Sequence, residues 1–177
     1  KNDAPLHYID VGQGSQIAIL IHGFPMTHQL WHEVTPLLEG DMRLILVDLK
    51  GFGGSAVKGS FTLTFEHLAD TIAELMDDLN ITRAHIVGAS LGAMVSMVFG
   101  HRHKDRTQSL IILHTEADPD DDEAKAARND QIKFVRNQGA KAFARHFAKR
   151  VLGPSPKEGT LEFLSDMMAQ ASAQAMI

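Results

Sequence analysis

Within Ala84–Phe99, AHIVGASLGAMVSMVF, an apolar run meets Gly88-Ala89-Ser90-Leu91-Gly92 and then continues with helical spacing. Ile86 and Val87 are β-branched residues of a buried strand, while Leu91, Met94, Val95 and Val98 recur at helical intervals, so strand, sharp turn and helix follow within 16 residues. Gly88 and Gly92 lack Cβ atoms, which lets the chain turn tightly and the helix pack close to the strand. That leaves Ser90 exposed in a strained backbone conformation, with the first N–H groups of the helix directed toward its hydroxyl. A developing negative charge would be stabilised there, which makes Ser90 the first candidate for a nucleophile. The same glycines would also serve a serine that is only packed in a tight turn.

Around this stretch the chain alternates. Leu6–Val11 reads as a strand ending in Gly12-Gln13-Gly14, and Ile17–Ile21 as a fully buried strand leading into His22-Gly23-Phe24-Pro25. Thr27–Leu38 reads as a short helix with Thr27 as its cap, and Leu44–Val47 as a third strand that enters the glycine-rich loop Asp48–Ser55. That loop lacks the Lys-Ser/Thr ending of a phosphate cradle, and its glycines open no helix. Between Thr64 and Asn80, Leu68, Ile72, Leu75, Met76 and Leu79 form one face of a surface helix. Leu110–Leu113 is one more apolar strand. Strands and helices in alternation predict an α/β fold, a doubly wound, mostly parallel sheet with helices on both faces. Beyond His114 the strand signal stops. Helices are predicted over Glu123–Asn137, Lys141–Val151 and Thr160–Met176, so the chain divides into a core over residues 1–117 and a helical segment over 118–177.

A length of 177 residues with 44% hydrophobic residues fits one globular domain, and a net charge of −5 with scattered basic residues offers no footprint for nucleic acid. No apolar run is long enough to span a bilayer and no signal-peptide order is present, so a soluble, cytoplasmic protein is expected. The absence of cysteine excludes disulfides, Cys-based zinc sites and a thiol nucleophile. Lys1, with no methionine before it, reads as a trimmed start.

His22-Gly23-Phe24-Pro25, Val47–Ser55 and Gly88-Ala89-Ser90-Leu91-Gly92, in this order and each after its own strand, resemble the α/β-hydrolase superfamily. The chain is similar to its esterases, enol-lactonases and cofactor-free haloperoxidase-like enzymes that carry a helical cap. The resemblance implies that Ser90 attacks the carbonyl carbon of a small carboxylic ester or lactone and forms an acyl-enzyme. The oxyanion would be held by the backbone N–H groups of Phe24 and Leu91. Gly88 and Gly92 would support the elbow, and His22 and Gly23 would shape the oxyanion loop. No cofactor and no metal are implied. Met167, Met168, Phe163 and Phe147 are available to line an apolar pocket, although such side chains more often simply fill core. A non-catalytic ligand-binding or interaction protein of the same fold is the alternative.

In the family the acid and the histidine follow two further strands after the cap, and nothing after Ile177 is present to supply them. A fragment, a second chain completing the fold, or a remnant without catalysis would each account for this, and the fragment also explains an open, apolar edge at Leu110–Leu113. One self-contained set, Ser90 with His114 and Glu116, is opposed because residues two positions apart on a turn cannot easily orient one another in line. His28 and His32, one helical turn apart beside Glu33, have zinc-ligand spacing without a third ligand, so no metal site is expected. The acidic run Asp118–Glu123 has no glycine where a calcium loop needs one, and fits the first turn of a helix.

Overall fold

The computed structural model describes residues 5–55, 63–116 and 118–177; Lys1 and Ala117, the last residue of the expected core, lie outside them. Five strands form one sheet: β1 (Tyr8–Val11), β2 (Gln16–Ile21), β3 (Met42–Val47), β4 (Ala84–Ala89) and β5 (Thr107–Leu113), in the spatial order β1-β3-β2-β4-β5. The pairs β2–β3, β2–β4 and β4–β5 are parallel, and only β1 runs antiparallel, against β3. The predicted doubly wound, mostly parallel sheet is the one observed.

The period of two along β2 and β3 sorts their side chains onto two cores. Ile19, Ile21, Ile45 and Val47 pack with Leu68, Ile72 and Met76 of α2 (Phe65–Asp78) and Val95 and Phe99 of α3 (Leu91–Arg102). Ala18, Leu20, Leu44 and Leu46 face the other way, onto Trp31, Leu30 and Leu38. β5 ends the sheet, and its Leu110, Ile111, Ile112 and Leu113 are 37–45% exposed, which is the open apolar edge that was expected.

Two predicted helices are shorter in the structure. Thr27–Leu38 is a 3-10 turn over His28–Trp31, capped by the Thr27 hydroxyl, followed by a single turn of α-helix, α1 (Thr35–Leu38). Pro36 has no N–H to give to a carbonyl one turn earlier, so the two pieces cannot fuse. Likewise the third late helix ends at Met168 instead of Met176. A tertiary bond stops it: Ser172 N–H donates to Gly51 O at 2.8 Å, drawing the tail onto the glycine-rich loop, where Ala171 and Met176 join the main core.

The late helices are α4 (Asp122–Gln138), α5 (Ala140–Val151) and α6 (Thr160–Met168). Asp121 caps α4 by accepting from Ala124 N–H at 2.8 Å, with Asp122 and Glu123 in its first turn, as the acidic run suggested. Val135 and Phe143 bury themselves in the main core, while Ala144, Ala148 and Met168 make a separate cluster against Met26. Among the described residues no helix is long and apolar enough to cross a membrane.

Candidate active site

Ser90 stands between β4 and α3 with φ 52° and ψ −113°, a conformation that L-residues avoid, and its side chain is exposed. Close packing on both sides imposes that conformation. A Cβ on Gly88 would fall 2.2 Å from Gly92 O and 2.3 Å from Ser96 Oγ; one on Gly92 would fall 2.3 Å from Ile21 O. Strand and helix therefore approach to a distance only glycine permits, and the turn between them has no freedom to relax. Ser90 N–H donates to Leu113 O at 2.8 Å, and Ser90 O accepts from Ala93 N–H and Met94 N–H as α3 begins. The N–H of Leu91 opens that helix, where backbone donors have no intrahelical partner.

The loop after β2 lies against this turn. A Cβ on Gly23 would come within 3.1 Å of Ala89 O and 3.3 Å of Ser90 Cβ, so Phe24, the next residue, is held beside Ser90. Phe24 and Pro25 are joined by a cis peptide bond. The Phe24 ring sits about 6 Å from those of Phe52, Phe143 and Phe147, which ties the loop to the glycine-rich segment and to α5.

His22 holds the base of this loop. It is fully buried; its Nε2 accepts from Leu49 N–H at 3.0 Å, so Nδ1 carries the proton and donates to Gly23 O at 2.9 Å. Burial pushes its pKa down to about 4, against which the Gly23 hydrogen bond and the nearby Asp48 charge pull weakly upward. The ring is neutral and both nitrogens are engaged with backbone, an arrangement that shapes the loop and leaves none free for proton relay.

Asp48, at the end of β3, is the second anchor. Oδ1 accepts from His28 N–H at 2.7 Å and His28 Nδ1–H at 2.9 Å; Oδ2 accepts from His7 Nδ1–H and Gly54 N–H, each at 2.9 Å. Burial alone would raise its pKa, but the hydrogen bonds from His28 and Gly54 outweigh it and hold the carboxyl at about 2. Sequence reading passed over this cluster. The available signal was an acid at the carboxyl end of a buried strand, where ligands gather in open α/β sheets.

The other groupings weighed from the sequence do not assemble, as expected for His28 with His32 and for Ser90 with His114 and Glu116. His28 turns inward to Asp48, whereas the His32 ring lies 4.7 Å from that of Phe163 and pairs with Glu33 at 3.4 Å, so the two histidines do not converge. His114 follows β5 with φ 52°, but among the described residues neither Ser90 Oγ, His114 nor Glu116 makes a side-chain hydrogen bond or ion pair. Of the pocket candidates, Phe147 reaches Phe24, while Met168 is buried between helices. Phe163 and Met167 line a separate groove of about 810 Å³ between the 3-10 turn at residues 28–31 and the α5–α6 connection.

A strained serine at a strand–helix turn, with a glycine loop packed against it at the carboxyl end of a mostly parallel sheet, is the strand–turn–helix arrangement of an α/β-hydrolase elbow. The sequence matches the alpha/beta hydrolase fold family over residues 19–159, and the chain belongs to that family. It is 35% identical over 102 residues to a pimeloyl-[acyl-carrier protein] methyl ester esterase of Aeromonas hydrophila, the match covering 58% of this chain and 38% of that protein. It is 32% identical over 107 residues to a fluoroacetate dehalogenase of Burkholderia sp., covering 58% and 35%. Among solved structures it superposes on a thermophilic esterase from Thermogutta terrifontis with TM-score 0.84 and 30% identity, covering 97% of this chain and 66% of that one. An enol-lactonase from Burkholderia xenovorans LB400 shares the fold with TM-score 0.85 at 22% identity, covering 97% and 66%. The chain thus spans well under half the length of these curated relatives, and about two thirds of the solved structures.

Proposed function

We propose that the intact protein is a serine hydrolase of small carboxylic esters or lactones that works through an acyl-enzyme on Ser90. The observation that carries this reading is the strained, exposed Ser90 at the N-terminus of α3 with the Gly23–Phe24 loop against it. Ser90 Oγ attacks the substrate carbonyl carbon, and the oxygen that becomes negative is held by the backbone N–H groups of Leu91 and Phe24. Gly88 and Gly92 support the elbow, and neutral His22 and Gly23 support the loop. Helices α4–α6 act as the cap, with Phe143 and Phe147 giving its inner side an apolar, aromatic character suited to a small acyl or cyclic group.

Relatives alone do not choose among esterase, dehalogenase and epoxide hydrolase. The serine at the elbow supports the esterase reading. Dehalogenase and epoxide chemistry run through an alkyl ester on a carboxylate nucleophile, and a serine cannot form one. The second reading is a non-catalytic ligand-binding or interaction protein of the same fold, in which Ser90 only packs in a tight turn; the enzyme requires in addition an imidazole at Ser90 Oγ and an acid behind it.

A fluorophosphonate probe on the intact protein, mapped by mass spectrometry, decides between them. Labelling at Ser90, with cleavage of short p-nitrophenyl esters that Ser90→Ala abolishes, is expected. No labelling of the folded, intact protein, or labelling at another serine, would overturn the enzyme in favour of the binding reading.

A further inference from the structure

His7, His28 and Asp48 come from three separate stretches: the segment entering β1, the loop after β2 and the end of β3. One nitrogen from each imidazole and one oxygen of the carboxylate lie within 4.8 Å of one another. The backbone has made room for them. A Cβ on Gly53 would fall 2.3 Å from Asp48 Oδ2, and one on Gly54 would fall 2.4 Å from His7 Cγ, so two consecutive glycines wrap the cluster where any other residue would intrude. The carboxylate is fully buried, but the His7 side chain is 41% exposed and that of His28 19%, which leaves a way in from solvent.

Two imidazoles and one carboxylate are a donor set that borderline divalent metals accept, with water filling the remaining positions. Donors sharing one ion at ~2.1 Å stand roughly 3 Å apart, and each His Nδ1 already lies 2.9 Å from a carboxylate oxygen. An ion entering here replaces the two Nδ1 protons. Those protons pass through water to Nε2 of the same rings or to the solvent. Asp48 keeps the N–H groups of His28 and Gly54 on its oxygens, which is the outer support that metal-ligating carboxylates require.

We propose that His7, His28 and Asp48 form a binding site for a divalent transition metal of the zinc type, separate from Ser90 and independent of the hydrolase reading. His32, which sequence spacing pairs with His28, takes no part. Because His28 ends the loop that begins at His22, the ion braces that loop from the end away from Ser90.

The test is calorimetric titration of the chelator-treated, intact protein with Zn²⁺ near neutral pH. One equivalent is expected to bind. His7→Ala and His28→Ala should each weaken binding by roughly tenfold or more, and His32→Ala should leave it unchanged. Zn²⁺ should also raise the melting temperature of the wild-type protein and not that of His7→Ala. Absence of saturable binding, or unchanged affinity in either His7→Ala or His28→Ala, overturns the site. If His28→Ala does not fold by circular dichroism, the half-exposed His7 decides alone: unchanged affinity in His7→Ala overturns the site.

Discussion

His22 makes stability depend on pH in a direction and over a range that the structure sets. Its ordinary pKa near 6.5 falls to about 4 in the folded protein because burial penalises the imidazolium. As pH drops below 6.5 the unfolded chain takes up a proton at this ring, while the folded protein does so only near pH 4. Between these values the unfolded state binds more protons, so stability declines with acid; above about pH 6.5 the group contributes no further change. The difference of about 2.5 pK units corresponds to about 3 kcal/mol, a sizeable part of the roughly 5–15 kcal/mol that holds a typical domain folded. The contribution is isolated by comparing urea unfolding of the intact wild-type protein and His22→Gln at pH 7.5 and pH 4. Other titrating groups cancel in the difference, so the advantage of wild type over His22→Gln should shrink by about 3 kcal/mol on acidification. A difference that stays constant across this range would show that His22 is not held neutral by burial.

Two backbone predictions follow from the elbow. Ser90→Gly relieves a φ of 52° and should abolish turnover while raising stability by about 1 kcal/mol, the strain released less the entropy glycine adds to the unfolded chain; a variant less stable than wild type in urea refutes the strain. Gly88→Ala drives a methyl to within 2.2 Å of Gly92 O and should cost about 3 kcal/mol or more, whereas Gly153→Ala, with no atom within 4 Å, should be near neutral. Equal melting temperatures for these two alanine variants would refute the close strand–helix contact.

What the sequence determined by itself is what repeats at short range. The unbroken apolar runs Ile17–Ile21 and Leu44–Val47 marked buried strands, the three- and four-residue spacing over Leu68–Leu79 made a helix, and Gly88, Ser90 and Gly92 placed the strained turn. Each of these is a property of a few neighbouring side chains, so it survives without knowledge of the rest of the chain. Pro36, whose missing N–H divides Thr27–Leu38, was a local signal too, which the helical reading of that stretch passed over. Tertiary structure alone decided the partners. It turned His28 away from His32 toward Asp48, 20 residues on, and brought in His7 from 41 residues before that carboxylate. It ended α6 at Met168 through a bond to Gly51, buried Met168 against Ala144 and Ala148, and set Phe163 beside His32. Hydrogen-bond partners and pocket walls depend on which surfaces meet when the sheet closes on its helices, and local spacing carries no record of that meeting.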